Sequence, residues 1–228
     1  MSRIDFKAHR GFAYRFASAI LRPPMRALTT HDWQGTEYLQ QEGGLVVAAN
    51  HLSWFDPVVI SHVLNDNGRP PRFLAKDALF DVPVVGWVMR NAGQIPVVRG
   101  TKDAAAAVSA AVEAAERGEC VVVYPEGTIT KDPDLWPMAA KTGAARIALA
   151  SRRPLVPMAH WGAQSVMRPY RKELKLLPRK TMHVVIGPPV DLTDLYDQPL
   201  DSESLRVATD RLMAAIRELL EQIRREYP

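Results

Sequence analysis

The chain reads as an α/β protein, a single domain in which a mixed, largely parallel sheet is flanked by helices. Two observations predict this class. Short apolar runs of strand length alternate with stretches of helical periodicity. The 228 residues, 47% hydrophobic and 24% charged, suffice for one sizeable core and contain no repeat, low-complexity tract or long linker that would divide it. Strands are predicted over 45–49, 72–75, 95–98, 120–124, 155–160 and 182–187. Helices are predicted near 57–65, 82–91, 103–117 and 138–151, with Asp103 capping the third of these and Gly118 ending it. A last helix, about 202–226, repeats Leu205, Ala208, Leu212, Ile216, Leu219 and Ile223 at spacings of three or four, which is one packing face.

The N-terminal segment is different in kind. The net charge is +4, yet residues 1–30 alone carry Arg3, Lys7, Arg10, Arg15, Arg22 and Arg26 against the single acid Asp5. As a helix from 10 to 22 this segment puts Phe12, Ala13, Phe16, Ala17, Ile20 and Leu21 on one half of the wheel and Arg15, Ser18 and Arg22 on the other, with Pro23-Pro24 as its end. Such a helix either lies in a membrane interface or packs on the sheet with its arginines in water. A second basic cluster joins Arg168, Arg171, Lys172, Lys175, Arg179 and Lys180 around Glu173. Two basic patches on a nearly neutral body point to an anionic surface or small anionic ligands as partners. The one cysteine, Cys120, excludes an intrachain disulfide and a cysteine-built zinc site, and fits a reducing compartment. No run approaches the roughly 18 apolar residues of a membrane span. The first ten residues lack the apolar centre of a signal peptide, so a soluble or surface-bound intracellular domain is expected.

The chemistry concentrates in the run Asn50-His51-Leu52-Ser53-Trp54-Phe55-Asp56-Pro57, between an apolar strand and an apolar helix. Asp56 before Pro57 reads as a helix cap with proline at the first helical position. Within a helix His51 and Asp56 would diverge, so they meet only across a turn. A strand-to-helix turn would bring them together at the carboxyl edge of the sheet, where α/β proteins place their sites. An aspartate on one ring nitrogen leaves the other as a base. The plainer alternative is that Asp56 only caps and His51 only closes the turn. Lys76 and Arg99 stand at the ends of two further strands, and Glu126-Gly127-Thr128 turns the chain after another. These ends converge in a parallel sheet, and an arginine fork there suits phosphate.

The blocks N-H-L-S-W-F-D-P, G-Q-I-P-V-V-R, P-E-G-T and P-L-V-P, in that order over residues 49–158, resemble the glycerolipid acyltransferase family. The resemblance implies that His51 is the general base and Asp56 its orienter. It implies that Arg99, Glu126, Gly127 and Thr128 bind the acceptor, that Lys76 also faces phosphate, and that Pro157 marks a block associated with the acyl donor. The chain departs from the family pattern at Pro96, where an aromatic is usual, and at Ile129, where Arg or Ser often follows E-G-T. The implied reaction moves a fatty acyl chain from an acyl-CoA or acyl carrier protein thioester to the free hydroxyl of lysophosphatidic acid, giving phosphatidic acid with no acyl-enzyme. It needs no metal and no redox cofactor, and no nucleic acid is expected as a partner. Residues 1–30 would form a membrane-association segment and 31–228 the acyltransferase domain, placing the protein peripherally on the cytoplasmic face of the cell membrane.

Other readings compete. Glycerol 3-phosphate or another lysophospholipid could replace the acceptor, and a non-catalytic lipid-phosphate binding protein would use the same basic site without needing an oriented base. Cys120 opens an apolar strand and reads as a core thiol rather than a nucleophile. Ser53 reads as a turn residue, since no G-x-S-x-G exists in the chain. No G-x-G-x-x-G follows a strand. The remaining histidines, His9, His31, His62, His160 and His183, show no carboxylate at a telling spacing, and His160 reads as a satisfied core histidine.

Overall fold

A computed structural model describes residues 12–98, 103–171 and 173–227 of the chain. The elements are α1 (Phe12–Leu28), β1 (Thr29–Gln34), β2 (Leu45–Ala49), α2 (Asp56–Asp66), β3 (Pro71–Lys76), α3 (Val85–Asn91), β4 (Ile95–Val97), α4 (Asp103–Glu116), β5 (Cys120–Val123), α5 (Gly143–Ser151), β6 (Leu155–Trp161), α6 (Ala163–Val166), β7 (Lys180–Ile186) and α7 (Ser202–Glu226). The strands form one sheet in the order β1-β7-β6-β2-β5-β3-β4. Every neighbouring pair is parallel except β6 with β7. The sheet is therefore mixed and largely parallel, as expected.

Strands covered on both faces read as unbroken apolar runs, and β2 is the example: all five of its residues are buried. Because side chains alternate along a strand, Val46 and Ala48 enter the core beneath α4, α5 and α7. Leu45, Val47 and Ala49 enter the opposite core, beneath α1, α2 and α6. The apolar stripe of α7 buries Leu205, Ala208, Leu212, Ile216, Leu220 and Ile223, and Asp201 caps it by accepting the N–H groups of Glu203 and Ser204.

The connections decide where a site can form. After β2 the chain crosses one face of the sheet through α2 to reach β3, whereas after β5 it crosses the other face through α5 to reach β6. Neighbouring parallel strands whose chains leave towards opposite faces open a crevice at their carboxyl ends. His51 follows β2 and Glu126 follows β5, so both stand at that crevice.

Four expectations need correction. Pro23-Pro24 does not end the first helix, because α1 runs on to Leu28 with both prolines inside it. An interior proline costs an isolated helix ~3 kcal/mol or more, but Met25 is buried in the core, and Arg22 and Tyr14 are anchored on Asp66 and Asn65 of α2. The edge strand β1 was not expected, since Thr-Thr-His-Asp-Trp-Gln carries no apolar alternation. It is recruited by pairing with β7, where register sets Asp32 opposite His183 and their side chains meet at 2.9 Å. The expected helix at 138–151 begins only at Gly143, and the one at 82–91 only at Val85. The side chain of Asp103 and residues Arg3, Asp5, Lys7, Arg10 and Lys172 lie outside what the structure describes.

Candidate active site

β2 ends at Ala49, and residues 50–55 turn the chain into α2. Asn50 latches the start of this turn to β6: its Nδ2 donates to the His160 carbonyl at 3.1 Å and its Oδ1 accepts the His160 N–H at 2.9 Å. Ser53, fully buried, donates from Oγ to the Met167 carbonyl at 2.6 Å and accepts the Phe55 N–H at 3.0 Å. It is the turn residue expected.

His51 Nδ1 and Asp56 Oδ2 lie 2.7 Å apart. The same oxygen accepts the N–H groups of Leu52 at 2.6 Å and Ser53 at 2.8 Å. Asp56 does not cap α2, contrary to expectation. The helix starts at Asp56 itself with Phe55 in the cap position, and the carboxylate points back into the turn. A carboxylate can only accept, so His51 Nδ1 donates to it, and in a neutral ring the lone pair is the one on Nε2. Asp56 is fully buried, while the His51 side chain is 15% exposed and lines a cavity of about 1390 Å³.

Two residues back up this pair. Tyr124 stacks on the His51 ring with 4.1 Å between centroids and 16° between planes. Its hydroxyl, without a partner among the described residues, is pushed above the usual phenol range by burial and by the charge of Asp56. His160 is fully buried, its Nε2 2.9 Å from the Asn50 carbonyl oxygen and 3.6 Å from Asp56 Oδ2. Burial lowers the pKa of this ring, so it is neutral at pH 7 and donates from Nε2. His160 is thus a core histidine, but one beside a carboxylate that sequence spacing did not reveal. The fold likewise brings His183 to Asp32 at 2.9 Å, whereas His62 stands 3.9 Å from Asp66 through the i,i+4 spacing of α2, a carboxylate that the sequence did offer.

The remaining candidates separate. Lys76, Gly127 and Thr128 line the same cavity as His51. Glu126 does not line it. Its buried carboxylate accepts the His51 N–H on Oε1 at 3.0 Å and the Met138 N–H on Oε2 at 2.9 Å, so it braces the turn after β2, and burial raises its pKa. Pro157 also stands away from the cavity, buried inside β6 opposite Ala48. Arg99 lies outside the described residues, although Val97 shortly before it reaches the cavity. Cys120 is the core thiol expected, its pKa pushed up to about 12 by burial.

The cavity straddles the carboxyl edge of the sheet. One lobe runs between α1 and α2 past Ala17, Leu21, Met25 and Val58; the other runs past Val108 of α4 and the start of α5. Lys141 and Arg146, which sequence reasoning missed, line the second lobe. A Cβ at Gly127 would meet Lys141 Cε at 3.3 Å, so this lysine lies directly against the Glu126-Gly127-Thr128 turn. Among the described residues neither cation, nor Lys76, pairs with an acidic side chain. The signal available in sequence was their position around a helix start, where the helix dipole disfavours positive charge.

Comparison with known proteins gives the family and the fold. The family model described as Acyltransferase matches residues 31–161, more than half of the chain. A chloroplastic 1-acyl-sn-glycerol-3-phosphate acyltransferase of Brassica napus is 31% identical over 163 residues, covering 71% of this chain but only 44% of that protein's length. The 1-acyl-sn-glycerol-3-phosphate acyltransferase of Bacillus subtilis is 27% identical over 186 residues, 80% of this chain and 84% of its own. The crystal structure of the 1-acyl-sn-glycerophosphate acyltransferase PlsC from Thermotoga maritima superimposes with a TM-score of 0.69 at 22% identity, covering 96% of this chain and 84% of that one. That likeness is one of fold.

Proposed function

Since the chain belongs to the Acyltransferase family, we propose that it moves a fatty acyl chain from a thioester to the free hydroxyl of lysophosphatidic acid, forming phosphatidic acid in phospholipid biosynthesis. One observation carries the reading: His51 is held by Asp56 at 2.7 Å and lines a large cavity that Lys76 also lines. A binding protein has no use for an oriented base.

In this mechanism His51 Nε2 takes the proton of the acceptor hydroxyl as that oxygen attacks the thioester carbonyl. The C–O bond forms, the tetrahedral oxyanion collapses, the C–S bond breaks, and the imidazolium returns its proton to the departing thiolate. Asp56 keeps the tautomer and steadies the imidazolium. Lys76 and Arg99, with Lys141 and Arg146, hold the acceptor phosphate so that the hydroxyl reaches His51, and positioning of this kind lowers a barrier by ~7 kcal/mol or more. The apolar lobe between α1 and α2 takes the acyl chain. The donor is an acyl-CoA or acyl carrier protein thioester, and no metal or redox cofactor takes part.

The same reading places the protein on a membrane surface through residues 1–30, on the cytoplasmic face. Support comes from α1, which turns its apolar face outward: Phe12 is 77% and Ile20 54% exposed, while Arg22 on the opposite side pairs with Asp66. A helix that only packed on the sheet would show the reverse. No described helix is long and apolar enough to cross a membrane.

The test is a transfer assay with radiolabelled palmitoyl-coenzyme A and a panel of lysophosphatidic acid, glycerol 3-phosphate, lysophosphatidylinositol and monoacylglycerol, with His51→Ala beside the wild type. Label entering phosphatidic acid in the wild type alone is the expected result. Full activity of His51→Ala would remove the mechanism, and label entering another product would correct the acceptor.

A further inference from the structure

The second basic cluster of the sequence has no part in the chemistry above, and the fold gives it a shape. Arg168, Arg171, Lys175 and Lys180 line one concave pocket of about 570 Å³ on the segment between α6 and β7. Like charges gathered this closely repel one another. No described acid forms an ion pair with any of the four, and Glu173 on the same segment pairs with none of them. The same segment exposes aliphatic side chains between its cations: Leu174 is 51% and Leu177 74% exposed. Isolated exposed leucines are ordinary, but leucines alternating with unpaired cations on one excursion are the composition of a bilayer-interface segment.

Two contacts fix where this segment lies. At one end the Tyr170 hydroxyl donates to the Ile129 carbonyl, and Tyr170 itself lines the cavity that holds His51. At the other end Arg179 Nη2 donates to the carbonyls of Arg26 and Thr29, at 3.2 and 2.9 Å, at the end of α1. The segment therefore runs from the lining of the cavity that holds His51 to the carboxyl end of α1.

We infer that residues 168–171 and 173–180 form a second membrane contact, in which the pocket of Arg168, Arg171, Lys175 and Lys180 seats the phosphate of an anionic phospholipid headgroup while Leu174 and Leu177 enter the acyl boundary. The inference shares a membrane setting with the proposed function but does not depend on acyl transfer. It gives α1 a partner beside the cavity, on a segment tied both to the end of α1 and to the cavity lining.

The experiment is co-sedimentation of the full chain with vesicles of phosphatidylcholine alone and with vesicles containing a third phosphatidylglycerol. Three variants accompany the wild type: Arg168→Gln/Arg171→Gln/Lys175→Gln, Leu174→Ser/Leu177→Ser, and Phe12→Ser/Phe16→Ser. The thermal midpoint is measured for every variant and is expected to be unchanged. The expected result is at least a tenfold loss of binding to the anionic vesicles in the glutamine variant, with binding to neutral vesicles unchanged. The Leu174/Leu177 variant should lose binding to both. Wild-type binding that is insensitive to these five substitutions, but lost with Phe12→Ser/Phe16→Ser, overturns the inference and leaves α1 as the anchor. A wild type that binds neither vesicle overturns it as well. Competition by millimolar inorganic phosphate, without any effect of vesicle charge, would reassign the pocket to a soluble phosphate and overturn the lipid assignment.

Discussion

Glu126 Oε1 accepts the backbone N–H of His51 at 3.0 Å while its Oε2 accepts that of Met138 at 2.9 Å. One buried carboxylate thereby joins the turn after β2 to the long connection after β5, the two segments that frame the crevice. Its place is that of a brace, whereas Gly127, Thr128, Lys141 and Arg146 line the cavity.

From this follows the behaviour of Glu126 variants. Glu126→Ala leaves two buried N–H groups unbonded, each costing about 1–3 kcal/mol. The expected outcome is a clear fall in thermal midpoint together with a loss of kcat, while KM for the acceptor changes little. Glu126→Gln retains one of the two bonds and should recover part of both. A large KM effect with unchanged stability would return Glu126 to direct acceptor binding.

Asp56→Asn tests the carboxylate charge. The amide oxygen can take the place of Oδ2 and keep its bonds from His51 Nδ1, Leu52 and Ser53, which puts the NH₂ group in the buried place of Oδ1, where no described residue accepts from it. The negative charge that steadies an imidazolium on His51 is then gone. Turnover should fall ~10²- to 10⁴-fold with the fold and substrate affinity retained, as read by steady-state kinetics and circular dichroism.

His62 sets an acid limit on stability. The ring is buried in α2 among His31, Trp33 and Asp66, and burial lowers its pKa from 6.5 to about 4, against the pull of Asp66. The folded state therefore binds fewer protons than the unfolded chain between these values, so stability rises with pH from about 4 to 6.5 and is lost on acidification through that window. At about 1.4 kcal/mol per pH unit the full effect is about 3 kcal/mol. Denaturant midpoints for His62→Leu should lose this part of the pH slope, and parallel curves for variant and wild type would show that His62 does not supply it.

The outward face of α1 predicts a separation of fold from surface binding. Phe12→Ser with Phe16→Ser removes two exposed rings, so the thermal midpoint should hold. Partition onto vesicles should fall by about tenfold or more, since each ring contributes ~1.5 kcal/mol or more when buried in an apolar phase. Unchanged partition would return the helix to a packing role.

The local pattern of the chain already determined much of this protein. Apolar runs such as 45–49 and 120–123 name the central strands because burial on both faces leaves no room for polar residues. His51 and Asp56 were legible because a short turn admits few arrangements. The order of blocks after successive strands pointed to one sheet edge, and β2, β5, β3 and β4 do lie side by side. What depended on contacts distant in sequence was not legible. Strand β1 exists because β7 offers it a ladder, and α1 passes through Pro23-Pro24 because Met25 gains a core. His160 reaches Asp56 across 104 residues, Glu126 turns inward to His51 across 75, and Lys141 and Arg146 reach the cavity only because α5 crosses to the face opposite α2. Periodicity and spacing report what a residue does with its chain neighbours; the tertiary structure alone decides which distant backbone groups and charges it must satisfy.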